Sequence, residues 1–356
     1  MFASSTMLVY NPTFRPGATM DDPETMDDAA RKAATACTAM LGEPVVGWED
    51  PGGQRRKSTR LFLADRSVIA TRRRSQQRAD LEVNVLRQLH GAGAPVPQVL
   101  GFENRWLIQE DLGGERLSRM MRRVGKDEAL GHLHAGLESL DHIHRAARTI
   151  GLARHCRTLG DTTQWLEDFA RAPKRLGTFL GMPAPALDTA AIVAALERPL
   201  TDFVKWDARP PNAIAVADGG VAWFDWEHCG TRNRLDDVVW FLGDESIIDR
   251  PTMENEVLNR WVPRFDDGRY PQGPAAYVMV MGALHCCVRL SIIVTDRARE
   301  EAPDDWRTSL AGIGVPSLPR TGPRIARRGA RWANRHEATK PLTEWFQAIR
   351  ERFRRD

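Results

Sequence analysis

Residues 203–216 read FVKWDARPPNAIAV, with Asp207 and Asn212 five positions apart, Pro210 and Pro211 between them and a short apolar run straight afterwards. Each proline fixes its own φ and biases the residue before it away from helix. The stretch therefore reads as a stiffened loop that presents two polar side chains in few conformations. Arg209, inside the loop, has two readings: it neutralises a transferring charge, or it pairs with a nearby acid. The apolar run opens a hairpin, with AIAV at 213–216, a turn ADGG at 217–220 and VAWFD at 221–225. The returning strand brings Asp225 back beside Asn212.

Around this loop the chain divides by pattern. Residues 1–20 carry no periodic signal and read as disordered, and DPETMDDAARKAATACTAMLG gives a helix that stops at Gly42. From Pro44 to Thr71 the pattern is a small antiparallel meander: PVVGWE, a glycine-bearing turn DPGGQ, RLFLA, a tight turn at Asp65-Arg66, and SVIAT. A helix over Gln76–His90 repeats Leu81, Val85, Leu86 and Leu89 at three-to-four spacing. Two more strands follow, PQVLGFE and RWLIQE, and then the polar linker EDLGGE. Beyond Gly114 the chain is mostly helical, interrupted by the hairpin. The expected architecture is α+β and bilobal: an N-terminal extension with one helix (1–43), a small antiparallel-sheet lobe with one helix (44–110), and a mostly helical lobe (111–356).

Composition bounds the function. The 356 residues are 42% hydrophobic, ample for a packed core. The apolar run 277–294 is broken by His285 and Arg289 and reads as a buried helix, not a membrane span. No signal peptide is evident, so the cytoplasm is the expected compartment. Five cysteines without a C-x-x-C pair argue against a disulfide framework or a thiolate zinc site. His132, His134, His142 and His144 lie two apart on a helix, on opposite sides, which is no zinc site either. A net charge of +3, concentrated in arginines near the C-terminus, reads as a helix with arginines facing water and no nucleic-acid partner.

The loop and hairpin have a chemistry. Phosphoryl transfer needs a base to orient an acceptor hydroxyl, and ligands for the magnesium that bridges the phosphates. Asp207 is the candidate base, and Asn212 and Asp225 are the candidate metal ligands. Taken with KWDARPPN, VAWFDWEHCG and RLDDVVWFL, the chain resembles the aminoglycoside phosphotransferase and choline kinase-like branch of the protein-kinase-like fold. The similarity extends through LEVNVLRQLHGAGAPVPQVLGFENRWLIQEDLGGERL and covers about Val45–Leu242. It implies an ATP-dependent phosphotransferase acting on a small-molecule hydroxyl, whether aminoglycoside-like, amino-alcohol or sugar. It also implies that Asp237 braces the catalytic loop, and that Gln109, Glu110 and Asp111, at the linker between lobes, meet the nucleotide.

Two departures qualify the resemblance. The family places a lysine on the third strand, paired with a helix glutamate; this chain has none there. Strand alternation puts Ala70 and Arg72 on one face, so Arg72 is the expected substitute, with Glu82 as partner and Asp80 as the alternative. Arginine is a planar fork and not an equivalent point charge. Lys205-Trp206 also stands where the family has His-Gly. Gly52 and Gly53 in the first turn are candidates for backbone approach to the phosphates, with Lys57 reaching in. Glu227, Asp244 and Glu245 are candidates for a cationic acceptor, although acids more often serve structural or solvated roles. The alternative function is a nucleotide-binding or scaffolding pseudokinase without turnover. A protein kinase is not expected, because residues 226–236 leave no room for an activation loop.

Overall fold

The computed structural model describes residues 26–51, 58–217, 219–300 and 318–355. The first twenty residues and Gly52, Gly53 and Lys57 lie outside them. The first helix, α1 (Asp28–Leu41), begins where the Asp27 side chain accepts the Ala30 N–H at 2.7 Å and ends at Gly42, whose φ of 72° suits a residue without Cβ. The meander follows as β1 (Gly47–Glu49), β2 (Ser58–Phe62) and β3 (Ser67–Arg72), then α2 (Gln76–Gly91), β4 (Val99–Glu103) and β5 (Trp106–Glu110). These strands form one antiparallel sheet in the order β1-β2-β3-β5-β4. Asn104 and Arg105, with φ of 49° and 68°, make the two-residue left-handed turn that matches strand twist between β4 and β5.

The two faces of this sheet have different fates. Leu61, Val68, Ala70 and Ile108 pack on Ala30, Ala33 and Cys37 of α1, closing a core of their own. Ile69 and Thr71, one residue out of step, face the cleft toward the second lobe. The single helix ahead of the meander is thus the outer layer of the sheet, and its packing decides which strand face is left for function.

The second lobe holds β6 (Glu115–Arg116), α3 (Leu117–Arg123), α4 (Lys126–Thr149), α5 (Thr163–Ala170), α6 (Ala172–Leu180), α7 (Thr189–Leu196), β7 (Asp202–Val204), β8 (Ala213–Ala215), β9 (Val221–Trp223), β10 (Gly230–Arg232), α8 (Arg234–Leu242), α9 (Pro251–Phe265), α10 (Pro274–Glu300), α11 (Leu318–Ala333) and α12 (Leu342–Arg355). The expected hairpin is β8–β9, with β6 added at its edge, and β7 pairs with β10. β6, β7 and β10 are additions to the expected elements, as is α6. Each of these strands has at most three residues, too few for alternation to register.

The apolar run 277–294 forms most of α10 and is a central buried helix, with Tyr277, Val280, Leu284, Cys287 and Leu290 in the core. Arg324, Arg327, Arg335 and Arg354 face water as expected, and Arg328 and Arg331 depart from that expectation. Arg328 is 1% exposed and donates to the carbonyls of Asp244 and Ile247, and Arg331 pairs with Glu254 at 2.6 Å. All five cysteines are free thiols, four of them buried. Burial pushes Cys37 and Cys156 up to about 11, Cys286 up to about 12, and Cys229 and Cys287 well above the usual thiol value.

α10 and α11 meet at Gly282, where an added Cβ would lie 2.0 Å from the Trp332 ring. Gly282→Ala is expected to destabilise the fold by about 1–3 kcal/mol through overpacking. Gly131→Ala, in α4 with nothing within 4 Å of the added methyl, is expected to stabilise it slightly by helix propensity. Thermal denaturation of both variants checks this pair, and equal melting temperatures would contradict the packing described.

Candidate active site

Asp237, on the first turn of α8 and fully buried, organises the loop from below. Its Oδ2 accepts the Lys205 N–H (2.9 Å) and the His144 Nε2 contact (2.8 Å), and its Oδ1 accepts the Trp206 N–H (2.8 Å). Two successive backbone N–H groups can point at one carboxylate because Trp206 has φ 68°, a conformation that favours glycine and costs a larger residue about 1–3 kcal/mol. This is the position where the resembled pattern carries glycine. Aromatic contacts hold Trp206 there: Trp240 at 5.5 Å, Trp165 at 6.0 Å and the buried Arg232 guanidinium at 4.9 Å from its ring. Lys205, the other departure, is 1% exposed; its Nζ donates to the Asp225 carbonyl at 2.6 Å and lies over the Trp226 ring. The lysine thereby joins the loop to the end of the hairpin.

Asn212 Nδ2 donates to Asp207 Oδ2 at 2.7 Å and to the Asp207 carbonyl at 3.2 Å, so the two side chains quoted at the outset meet. In the hairpin Ala213 faces Trp223, and Phe224 N–H donates to the Asn212 carbonyl at 3.1 Å. Asp225 is the next residue and lines the same cleft, of about 520 Å³, as Asp207, Asn212, Ile69, Thr71 and Arg73. Its φ of 64° is a second left-handed non-glycine position. Burial pushes the Asp225 carboxyl up, but Arg73, Lys205 and His228 outweigh it and hold it below the usual carboxylate range.

The expected pairing of Arg72 with Glu82 is corrected. Arg72 is exposed and follows Ala70 onto the α1 face, where it lies 6.0 Å from the Trp106 ring centroid. Ala70 is likewise buried under α1, away from the cleft. Arg73 takes the pairing. Its Nε and Nη2 bond the two oxygens of Glu82 at 2.5 and 2.6 Å, Nη2 reaches Asp225 Oδ1 at 2.9 Å, and Nη1 reaches Glu227 at 3.3 Å. Glu82, fully buried on α2, also accepts the Trp226 N–H at 2.9 Å. Burial opposes the Arg73 charge, but Asp225 and Glu82 overcome it and raise its pKa above that of ordinary arginine. Burial lifts the Glu82 carboxyl above its usual range even with the guanidinium beside it.

At the linker, Gln109 is opposite Ile69 in the sheet and shares its cleft face; its Oε1 is buried without a hydrogen-bond partner. Glu110 lines the cleft and its carboxylate accepts the Gln98 N–H at 3.0 Å. Asp111 lines the same cleft and is tied to the N-terminal sheet, accepting Ser67 Oγ at 2.7 Å and Arg60 Nη2 at 3.3 Å, with Arg60 Nε in ion-pair contact at 2.7 Å.

The acids beyond the hairpin are also committed. Arg209 pairs with Asp244 (2.6 Å) and Glu245 (2.8 Å), which selects between its two readings, and Glu227 lies between Arg73 and Arg78. Spacing alone does not reveal these partners, because Asp244 and Glu245 come more than thirty residues after Arg209 in the chain.

The donor set suits a hard divalent cation. Asn212, with its amide N–H on Asp207, offers Oδ1, and Asp225 supplies a carboxylate held in its charged form, both oxygen ligands of the kind magnesium takes.

The pattern of a family described as phosphotransferase enzymes matches residues 50–274, more than half of the chain. Comparison with curated protein sequences finds no match. Among solved structures, a Ralstonia eutropha JMP134 protein assigned to the aminoglycoside phosphotransferases is 16% identical, with a TM-score of 0.58 over 89% of this chain and 98% of that one. The GDP complex of aminoglycoside 2′-phosphotransferase-IIIa is 13% identical, with a TM-score of 0.53 over 86% and 99%. The streptomycin–ATP–APH(2″)-IIa ternary complex is 13% identical, with a TM-score of 0.50 over 78% and 95%. At these identities the likeness is one of fold: α+β, bilobal and protein-kinase-like.

Asp237 accepts three hydrogen bonds in a fully buried setting. Asp237→Asn places an amide against those donors and is expected to cost about 2–5 kcal/mol. Urea denaturation measures this, and a loss below about 0.5 kcal/mol, the scatter of neutral surface changes, would remove Asp237 as the brace.

Proposed function

The chain belongs to the phosphotransferase enzyme family, and from that premise we propose that it moves the γ-phosphoryl group of ATP to a hydroxyl of a small molecule, with magnesium. The observation that carries this reading is the meeting of Asp207, Asn212, Asp225 and Arg73 in one cleft.

In the proposed reaction the acceptor hydroxyl oxygen forms a bond to the γ-phosphorus, the bond from that phosphorus to the β,γ-bridging oxygen breaks, and ADP leaves with the electron pair. Asp207 takes the hydroxyl proton. Its Oδ2 is engaged by Asn212 Nδ2, which orients the carboxylate and leaves Oδ1 for that proton. Arg73 holds the α- and β-phosphates in place of the usual lysine, anchored by the two Glu82 carboxylate oxygens along the Nε–Nη2 edge of its guanidinium. Asn212 and Asp225 would hold magnesium, which would supply positive charge to offset that of the phosphates. The unpartnered Gln109 Oε1 supports an adenine, whose exocyclic amine can donate to it. Among the described residues, Glu227, Asp244 and Glu245 are matched by arginines, which supports an uncharged sugar or alcohol over a polycationic acceptor.

One observation favours a second reading, nucleotide binding without turnover: Arg73 Nη2 lies on Asp225 Oδ1 at 2.9 Å, on the carboxylate the metal needs. The two readings separate experimentally. Asp207→Asn is expected to lower phosphoryl transfer roughly 10²–10⁴-fold across a panel of sugars, amino alcohols and aminoglycosides. Arg73→Ala is expected to weaken MgATP binding at least about tenfold, the worth of one charge-assisted bidentate contact, with Arg72→Ala close to wild type by calorimetry. Wild-type protein that binds MgATP yet outpaces Asp207→Asn on no acceptor would establish the second reading.

A further inference from the structure

Arg209 sits at the centre of the catalytic loop. Its N–H donates to the Asp207 carbonyl (2.9 Å) and its own carbonyl accepts the Asn212 N–H (2.8 Å), so its backbone links the two functional residues directly. Its side chain leaves the loop for a closed ionic cluster: Nε to Asp244 Oδ2 at 2.6 Å and Nη2 to Glu245 Oε1 at 2.8 Å. Arg289, on α10, then grips Glu245 through Nη2 to both carboxylate oxygens, each at 2.8 Å, and through Nε at 3.2 Å. Asp244 Oδ1 is filled by Ser246 N–H and Oγ, and the Asp244 carbonyl by Arg328 of α11. Arg209 is 9% exposed, Asp244 0%, Glu245 4% and Arg289 3%, so two cations and two anions compensate each other out of water. The neighbouring His285 adds no further charge, since burial together with Arg289 and Arg209 drives its pKa well below the usual value.

Buried ion pairs of this kind stabilise a fold weakly, because desolvation offsets their attraction; their attested use is to select one arrangement of the chain. Here the arrangement selected is that of the loop. We propose that Glu245 and Arg289 are positioning residues for phosphoryl transfer, acting through Arg209 to hold Asp207 and Asn212 in register with the cleft. This rests on the phosphotransferase reading for its kinetic consequence but not for its structural one. Helix α10 is thereby a third support of the catalytic loop, alongside Asp237 below it and Lys205 at the hairpin.

The test compares Arg289→Met, Glu245→Gln and Arg289→Lys with wild type, by steady-state kinetics and by hydrogen exchange read with mass spectrometry. A displacement of about 1 Å at reacting groups can cost about 100-fold. Arg289→Met is accordingly expected to lower kcat about 10- to 100-fold with the KM for ATP within about twofold, and to speed exchange across 207–212 while the β2–β3–β5 amides stay protected. Arg289→Lys, which restores the charge, is expected to recover part of kcat. The double variant Arg209→Met/Arg289→Met is expected to be no slower than Arg209→Met alone. Unchanged kcat, a rise in KM alone, additive losses in the double variant, or exchange that rises everywhere would each overturn the proposal. If Arg289→Met does not fold, Glu245→Gln and Arg289→Lys carry the same comparison. Absence of turnover in wild type would refute the phosphotransferase reading, while the exchange comparison would still decide whether Arg289 holds the loop.

Discussion

The molecule turns on a single guanidinium. Arg73 follows directly on β3, yet it is bonded at once to Glu82 on α2, to Asp225 at the end of the hairpin and to Glu227 beyond it. Two parts of the chain, α2 in the same lobe and the end of the hairpin in the other, therefore converge on one cation. Burial makes that convergence consequential: a charge removed from water and matched by three carboxylates is costly to leave partly matched.

What the sequence disclosed and what it withheld follows from range. Asp207 and Asn212 were readable because they share one loop, and Asp225 because a hairpin of obvious register returns it. Arg73 was not. The run TRRR offers an arginine to either face of β3, and alternation states only that Ala70 and Arg72 share one face. Which face meets the cleft is decided by α1, whose Ala30, Ala33 and Cys37 cover Val68 and Ala70. That contact joins residues some thirty or more positions apart, and a one-residue offset reverses the assignment. The same limit applies to Arg209, whose two alternatives were chemically equal until Asp244 and Glu245 arrived from beyond α8. The departure at Lys205-Trp206 was legible as a departure, but not its resolution, in which a tryptophan adopts a glycine conformation and aromatic neighbours hold it there.

Strain and compensation are paired throughout the cleft. Trp206 and Asp225 both occupy left-handed backbone, each costing a residue with a Cβ free energy that glycine would not lose. Each carries a hydrogen bond in that conformation: the Trp206 N–H on the Asp237 carboxylate, and the Lys205 ammonium on the carbonyl of Asp225. Both bonds come from residues themselves buried, so the loop is shaped by the interior of the helical lobe and not by the cleft it serves.

The cysteines have a practical bearing. With every thiol driven toward its protonated form by burial, and Cys156 alone half-exposed, the protein presents no ready thiolate at neutral pH. A single cysteine introduced at the mouth of the cleft would be alkylated ahead of the native five. The native background can therefore be left intact when a spectroscopic label is attached to report on the distance between the lobes.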